Sequence, residues 1–341
     1  MENKDIEIPP FKIEDVPQFY PSQVWLQLTN KATVSEDLPA KLIKEFAAYL
    51  AEPLTDVINT SLMRGEYPNI YKYEISTPVP KIYPPEKVLQ MRNISGLLNF
   101  DKVMEKLISE IMVSDMKDKW DPSQYGNEKG TSIQHYLIKM IHRILTVLDN
   151  NSRRETFAVV ANLIDWNSAF PRQCPKLGIQ SFMKNGVRPS LIPTLVNYFQ
   201  DRRMSVKWHG CVTKPIGING GGPQGATLGI IEYLSQSNNS ADCVDQEDRF
   251  KFVDNLTILE IVNLLTIGIS CFNIKIQVPS DIIEGNQFIP PSNLKSQDYL
   301  DKISEWTKGK KMLLNQKKCQ TIIFNFTNNN FLQGCQLKMK F

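Results

Sequence analysis

Asp165 and Asp254 are the side chains from which chemistry could start. Asp165 closes the run Thr156-Phe-Ala-Val-Val-Ala-Asn-Leu-Ile-Asp165, the strongest strand signal in the chain and apolar enough to be central in a sheet. Asp254 stands with Asn255 between Arg249-Phe-Lys-Phe-Val253 and Leu256-Thr-Ile-Leu259, which reads as a tight hairpin. Asp and Asn both tolerate the left-handed backbone of such turns. Between the two acids, Gly220-Gly-Gly-Pro-Gln-Gly-Ala-Thr-Leu-Gly229 opens a helix. Carboxylates on rigid strand ends suit divalent ions, and phosphoryl or nucleotidyl transfer needs such ions to activate a hydroxyl and offset charge on the leaving oxygen. Magnesium takes few protein oxygens and completes its shell with water and phosphate, so two aspartates suffice. Taken singly, the hairpin is also an ordinary solvated turn and the glycines a flexible one.

The elements that must position these residues are readable from apolar spacing. Residues 1–38 form a Pro-rich, charged arm with one short helix. Leu42, Phe46, Tyr49, Leu50, Leu54, Val57, Ile58 and Leu62 give a helix pair, or one helix kinked at Pro53. Ile75-Ser-Thr-Pro-Val-Pro-Lys81 is extended because residues before proline leave the helical region. Asp101 is the expected N-cap of a helix to about Lys117, and another helix runs from Ser132 to Leu148. Further helices start near Pro175 and Ser190, and a hairpin turns at His209-Gly210.

Composition narrows the class. With 341 residues, 42% hydrophobic and 22% charged, the chain is expected to be a soluble, intracellular globular protein, cytoplasmic or nuclear, with a substantial core. No apolar run approaches the roughly 20 residues that cross a bilayer, and no membrane partner is expected. Six cysteines without a CxxC pair point to free thiols and no structural zinc. A net charge of +3 does not by itself imply nucleic acid; the clusters Lys308-Gly-Lys-Lys311, Lys317-Lys318, Arg153-Arg154 and Arg202-Arg203 carry the local charge. The oligomeric state is left open.

The order of the motifs is more specific than any one of them. Ile164-Asp-Trp-Asn-Ser-Ala-Phe-Pro-Arg172, Gly222-Pro-Gln-Gly-Ala-Thr-Leu-Gly229 and Phe252-Val-Asp-Asn255 resemble motifs A, B and C of reverse transcriptases, especially those of non-LTR (LINE-type) retrotransposons. Pro78-Val-Pro-Lys81 and Arg92-Asn-Ile-Ser95 resemble the motifs that bind the incoming triphosphate. Asp121-Pro-Ser-Gln-Tyr-Gly126 with Lys129-Gly-Thr-Ser132 is similar to the DPxQFGFRxGxST block, and Leu314-Asn-Gln-Lys-Lys-Cys319 to motif D. The likeness extends over residues 15–325.

The resemblance implies an α+β right-hand polymerase, with an antiparallel palm sheet flanked by helices. Its fingers would occupy 39–150 and its palm 151–325, with a fingers insertion around 172–215; residues 326–341 would begin a truncated thumb connection. It implies two-metal nucleotidyl transfer with two Mg2+ (or Mn2+) ions at Asp165 and Asp254, RNA template, DNA primer and deoxynucleoside triphosphates as partners, and Lys81 and Arg92 on the triphosphate. Phe170 would block a ribose 2′-hydroxyl, Gln224 and Gly225 would line the nucleotide and template pocket, and Lys318 would assist pyrophosphate departure. Phe170 is equally readable as a core aromatic, and Trp166, Trp208 and Trp306 as core or base-stacking rings.

Two departures from the pattern stand out. Motif C carries Asp254-Asn255 where Asp-Asp is usual, which removes a negative charge from a cation site. About twenty residues follow the palm-like region, too few for a helical thumb. The expectation is a truncated, weakened or inactive RNA-directed DNA polymerase core, or alternatively a catalytically silent nucleic-acid-binding remnant. A dinucleotide-binding enzyme using the 217–229 glycines is the weaker alternative, since their spacing does not fit GxGxxG.

Overall fold

The computed structural model describes residues 6–28, 37–149, 157–263 and 295–325. In chain order its helices are α1 (Pro21–Gln27), α2 (Ala40–Glu45), α3 (Ala47–Arg64), α4 (Asn99–Met116), α5 (Ile133–Asp149), α6 (Pro175–Lys184), α7 (Ile192–Phe199), α8 (Thr227–Ser237) and α9 (Lys295–Lys310). The strands are β1 (Tyr73–Pro80), β2 (Met91–Gly96), β3 (Phe157–Asp165), β4 (Arg203–Trp208), β5 (Cys211–Val212), β6 (Ile216–Gly217), β7 (Arg249–Phe252), β8 (Asn255–Asn263) and β9 (Gln320–Asn325). This is the mixed α+β architecture expected. The thumb connection expected at 326–341 lies outside the described residues.

The chain divides into two compact units, one of residues 1–120 and 170–237, the other of 121–169 and 238–341. In the first, α4 is the helix around which the core assembles. Its Met104, Leu107, Ile108 and Met112 recur at helical spacing and are fully or almost fully buried against Ile58 and Leu62 of α3 and Leu195 of α7. The small sheet of this unit runs β2-β1-β4-β5, with β6 also on β4; β1 and β4 are parallel and the other pairs antiparallel.

Two expectations for this unit are corrected. The break falls at Phe46, between α2 and α3, and Pro53 sits inside α3. Pro53 is on the exposed side of that helix, where water can take the carbonyl that its missing N–H leaves unpaired. Asp101 is not an N-cap: α4 starts at Asn99, and Asp101, in its first turn, is buried and accepts the Tyr67 hydroxyl at 2.5 Å.

The second unit is built on an antiparallel sheet of order β7-β8-β3-β9. β3 is paired on both edges, as its apolar run predicts. From α5, Tyr136, Ile144, Val147 and Leu148 pack on Val159, Ala161, Phe250 and Leu259. The Tyr136 hydroxyl meets Thr257 Oγ1 at 2.6 Å, which ties helix to sheet. The hairpin between β7 and β8 turns at Val253-Asp254, one residue earlier than expected, and Asn255 already pairs in the ladder with Phe252. Among the described residues, no helix is long and apolar enough to cross a membrane.

The first unit also buries a group of acids around one guanidinium. Arg202 lies 3.5 Å from Glu74 and 4.5 Å from the Tyr198 ring centre, while Tyr198 donates its hydroxyl to Glu105 at 2.6 Å. Burial raises the pKa of Glu74, Asp101 and Glu105, since carboxylates lose hydration there. Removing the cation leaves Glu74 with the Ser95 hydroxyl, at 3.2 Å, and no charge partner in a dry site. Arg202→Met is expected to cost about 3–5 kcal/mol, measurable as a shift in the urea unfolding curve; a change within about 0.5 kcal/mol, the usual range for surface substitutions, would contradict this account.

Candidate active site

β3 ends on Asp165 directly opposite Asn255, the first residue of β8. Register partners in antiparallel pairs hold their Cα atoms about 4.5–5.5 Å apart, so the turn bearing Asp254 stands beside the end of β3. Asp165 is further held by the segment leading into β9. Its Oδ2 accepts the Asn315 side-chain amide at 2.9 Å, its backbone oxygen accepts Asn315 N–H at 2.8 Å, and Lys318 Nζ lies 3.6 Å from Oδ2. The Lys318 side chain is 69% exposed, so this ion pair contributes little to stability.

Four sequence candidates, Asp165, Asp254, Asn255 and Lys318, thus fall in one unit and at one end of one sheet. Asn315 joins them through the amide bond just described. An asparagine two residues before a Lys-Lys pair is a common turn former, and only the fold distinguishes it from any other. Trp166 is buried with its ring centre 5.6 Å from that of Trp306, whose Nε1 donates to Asn239 Oδ1, so both rings serve packing.

The other candidates, Lys81, Arg92, Phe170, Gln224 and Gly225, belong to the first unit. Lys81 directly follows β1 and donates its backbone N–H to Gln90 O at 2.8 Å, while Arg92 pairs with Val79 in the β1–β2 ladder. Both side chains are exposed on the same two-stranded ribbon. The ribbon meets the glycine loop where Ser95 N–H donates to Gln224 O at 2.8 Å. Gly225 has φ +114°, and a Cβ there would lie 3.2 Å from Ser95 O, so this approach requires glycine.

Phe170 begins a short turn whose backbone oxygen accepts the Gly222 N–H at 3.0 Å. Its half-buried ring lies 5.3 Å from that of Tyr233, consistent with the packing role. The glycine loop is held from both ends. At its far end α8 begins, and Glu105 Oε2 accepts the Thr227 N–H at 2.8 Å, a carboxylate at the positive end of the helix. Sequence reading missed Glu105, because nothing local separates it from a surface glutamate of α4.

Gly222 faces a second buried acid. A Cβ on Gly222 would lie 1.8 Å from Gln173 Oε1 and 3.3 Å from Glu232 Oε2, and neither oxygen has a hydrogen-bond donor among the described residues. Burial pushes the Glu232 carboxyl up to about 8, only partly opposed by the Gln236 amide at 3.0 Å. A proton on Glu232 supplies a donor that this acceptor-lined corner lacks.

Among the described residues, no group of three or more His, Cys, Asp or Glu side chains is placed to hold a metal ion. Asp165, Asp254 and Asn255 at the β3 end carry hard oxygens, the donor type that Mg2+ takes when water and phosphate complete its shell.

No protein-family model matches the chain. A stretch of 238 residues, 69% of this chain, is 25% identical to the probable RNA-directed DNA polymerase from transposon X-element of Drosophila melanogaster. The match supports a reverse transcriptase domain, in agreement with the motif order. It spans only 25% of that relative's length. Apo telomerase from Candida tropicalis, truncated from its C-terminal domain, aligns over 89% of this chain and 60% of its own at 10% identity, with a TM-score of 0.48.

The Glu232 corner makes a pH prediction. A folded-state pKa raised from 4.5 to about 8 means stability is fully present below pH 4.5 and is lost as pH rises through about 8. Glu232→Gln should remove a pH-dependent loss of up to about 5 kcal/mol, at 1.36 kcal/mol per pKa unit. Urea midpoints at pH 5.5 and 8.5 test this; a parent protein and variant with parallel pH profiles would refute the buried neutral acid.

Proposed function

We propose that this chain is the RNA-directed DNA polymerase core of a retrotransposon, with activity attenuated at Asn255. The observation that carries the reading is the register of β3 and β8, which sets Asp165 opposite Asn255 and beside the turn bearing Asp254. The sheet β7-β8-β3-β9 would be the palm and the β1–β2 ribbon part of the fingers.

Asp165 and Asp254 would hold Mg2+ or Mn2+, which supplies Lewis-acid activation of the primer hydroxyl and offsets phosphate charge. The reaction is attack of a DNA primer 3′-hydroxyl on the α-phosphate of a deoxynucleoside triphosphate, opposite an RNA template, with pyrophosphate leaving. Lys81 and Arg92, both exposed, are suited to pair with triphosphate oxygens. Gln224 and Gly225 would bound the nucleotide and template pocket, Gly225 by allowing close backbone approach. Phe170 would exclude a ribose 2′-hydroxyl. Lys318, the exposed cation 3.6 Å from Asp165, would donate a proton to the departing pyrophosphate.

Asn255 keeps the shape of aspartate but removes one charge from the cation site. That charge deficit also favours a second reading, a catalytically silent protein that still binds nucleic acid.

Primer extension on an RNA template separates them. The parent chain is expected to incorporate deoxynucleotides slowly with Mg2+, Asn255→Asp to raise the rate at least tenfold, and Asp165→Asn to abolish incorporation in either background. Equal rates for parent and Asn255→Asp would remove the attenuation, and no incorporation by either would leave the silent binder.

A further inference from the structure

Val253, the first residue of the turn that presents Asp254, has φ +54°. A two-residue hairpin turn with a positive φ at its first position normally carries glycine there. For a β-branched residue this backbone is an outlier, and it persists only where surrounding structure enforces it. The enforcing contacts come from the segment after Asp121, within the same unit.

That segment runs alongside β7 as an extra edge. Lys251 N–H donates to Ser123 O at 2.9 Å and Tyr125 N–H to Lys251 O at 2.8 Å. At the tip, the side chain of Gln124 takes over from backbone: its Oε1 accepts the N–H of Val253 at 3.0 Å and that of Gly126 at 2.9 Å. A Cβ on Gly126 would lie 2.4 Å from Val253 N and 2.6 Å from Val253 Cγ2, so only glycine lets the two segments approach this closely. The base of the brace is fixed by a buried ion cluster, with Asp121 2.6 Å from Lys251 Nζ and 3.2 Å from Arg249. Gln124 is itself buried.

We propose that Gln124 is a positioning residue for Asp254: by accepting the Val253 N–H it locks the strained turn that carries Asp254 at the end of β3. The proposal rests on the polymerase reading for its purpose, but not for its geometry. An oxygen acceptor at this place is the requirement, so glutamate can replace glutamine and methionine, of similar volume, cannot.

Two measurements test it. In the folded parent protein, amide hydrogen exchange at Val253 is expected to be as slow as at the paired residues of β7, although Val253 lies in a turn. Exchange at the rate of an exposed turn amide would overturn the proposal whether or not any variant folds. Second, Mn2+ binding is followed by electron paramagnetic resonance in the parent, Gln124→Met and Gln124→Glu, with circular dichroism confirming the fold. Gln124→Met is expected to bind Mn2+ at least tenfold more weakly and to expose the Val253 amide, and Gln124→Glu to restore both. Mn2+ binding unchanged in Gln124→Met overturns the positioning role alone. A parent protein that binds no Mn2+ overturns the polymerase reading and the purpose of the brace with it, while the exchange rate still reports whether the brace exists.

Discussion

The register of β3 is the constraint on which the second unit depends. Side chains alternate along a strand, so a slip of one residue would move every side chain to the opposite face and Asp165 away from Asn255. Apolar residues alone specify such a register weakly, because Ala158, Val159, Val160 and Ala161 are all buried. The polar Asn162 discriminates. It is buried in mid-strand, its amide donates to Ser296 Oγ at 3.1 Å, and its oxygen accepts the Thr321 hydroxyl at 2.6 Å. A slipped strand would leave that amide without partners, at about 1–3 kcal/mol for a buried unsatisfied group. Glu260 of β8 extends the same logic by accepting the first backbone N–H groups of α9 at 2.7 Å, so sheet and helix share one register.

In the first unit the corresponding task is to hold a glycine-rich loop that has little structure of its own. Glycines make close approaches possible but contribute no packing, so the loop must be fixed by its surroundings. Those surroundings are acidic: Glu105 receives the start of α8, and Glu232 lies behind Gly222. Buried carboxylates are costly, and the unit meets that cost with hydroxyl donors, one arginine and protons. Tyr67 and Tyr198 each donate to an acid, and burial raises their own pKa values well above the ordinary tyrosine range. The result is a polar interior in which buried acids stand against the loop on both sides.

How far the sequence revealed this follows from the range of each interaction. β3, the hairpin acid and the glycine loop were legible because apolar runs and turn residues act over a few positions. The α+β class came instead from the family resemblance that the order of the motifs carries. The turn itself was misplaced by one residue because local preference favours Asp254-Asn255 over Val253-Asp254. The pairing of Asn255 with Phe252, and of both strands with their neighbours, overrode that preference. Gln124 and Glu105 were invisible as supports, since their partners Val253 and Thr227 stand 129 and 122 residues away. Neither type nor spacing marks a glutamine or glutamate that will fold against a distant backbone N–H.

The substitution that separates this chain from the usual Asp-Asp motif has a consequence for the fold as well as for chemistry. Position 255 is paired with Asp165 across the ladder, and like charges directly opposite each other in a sheet are destabilising. An aspartate there would make the paired strand ends depend on a bound cation for relief. With Asn255 the repulsion is absent, and Asp165 is satisfied by the Asn315 amide and the nearby Lys318 ammonium. The charge that would draw metal into the site is therefore also a charge that would strain it without metal. Asparagine spares the sheet end that repulsion, and in the proposed polymerase the same change would weaken the electrostatic demand for a divalent ion.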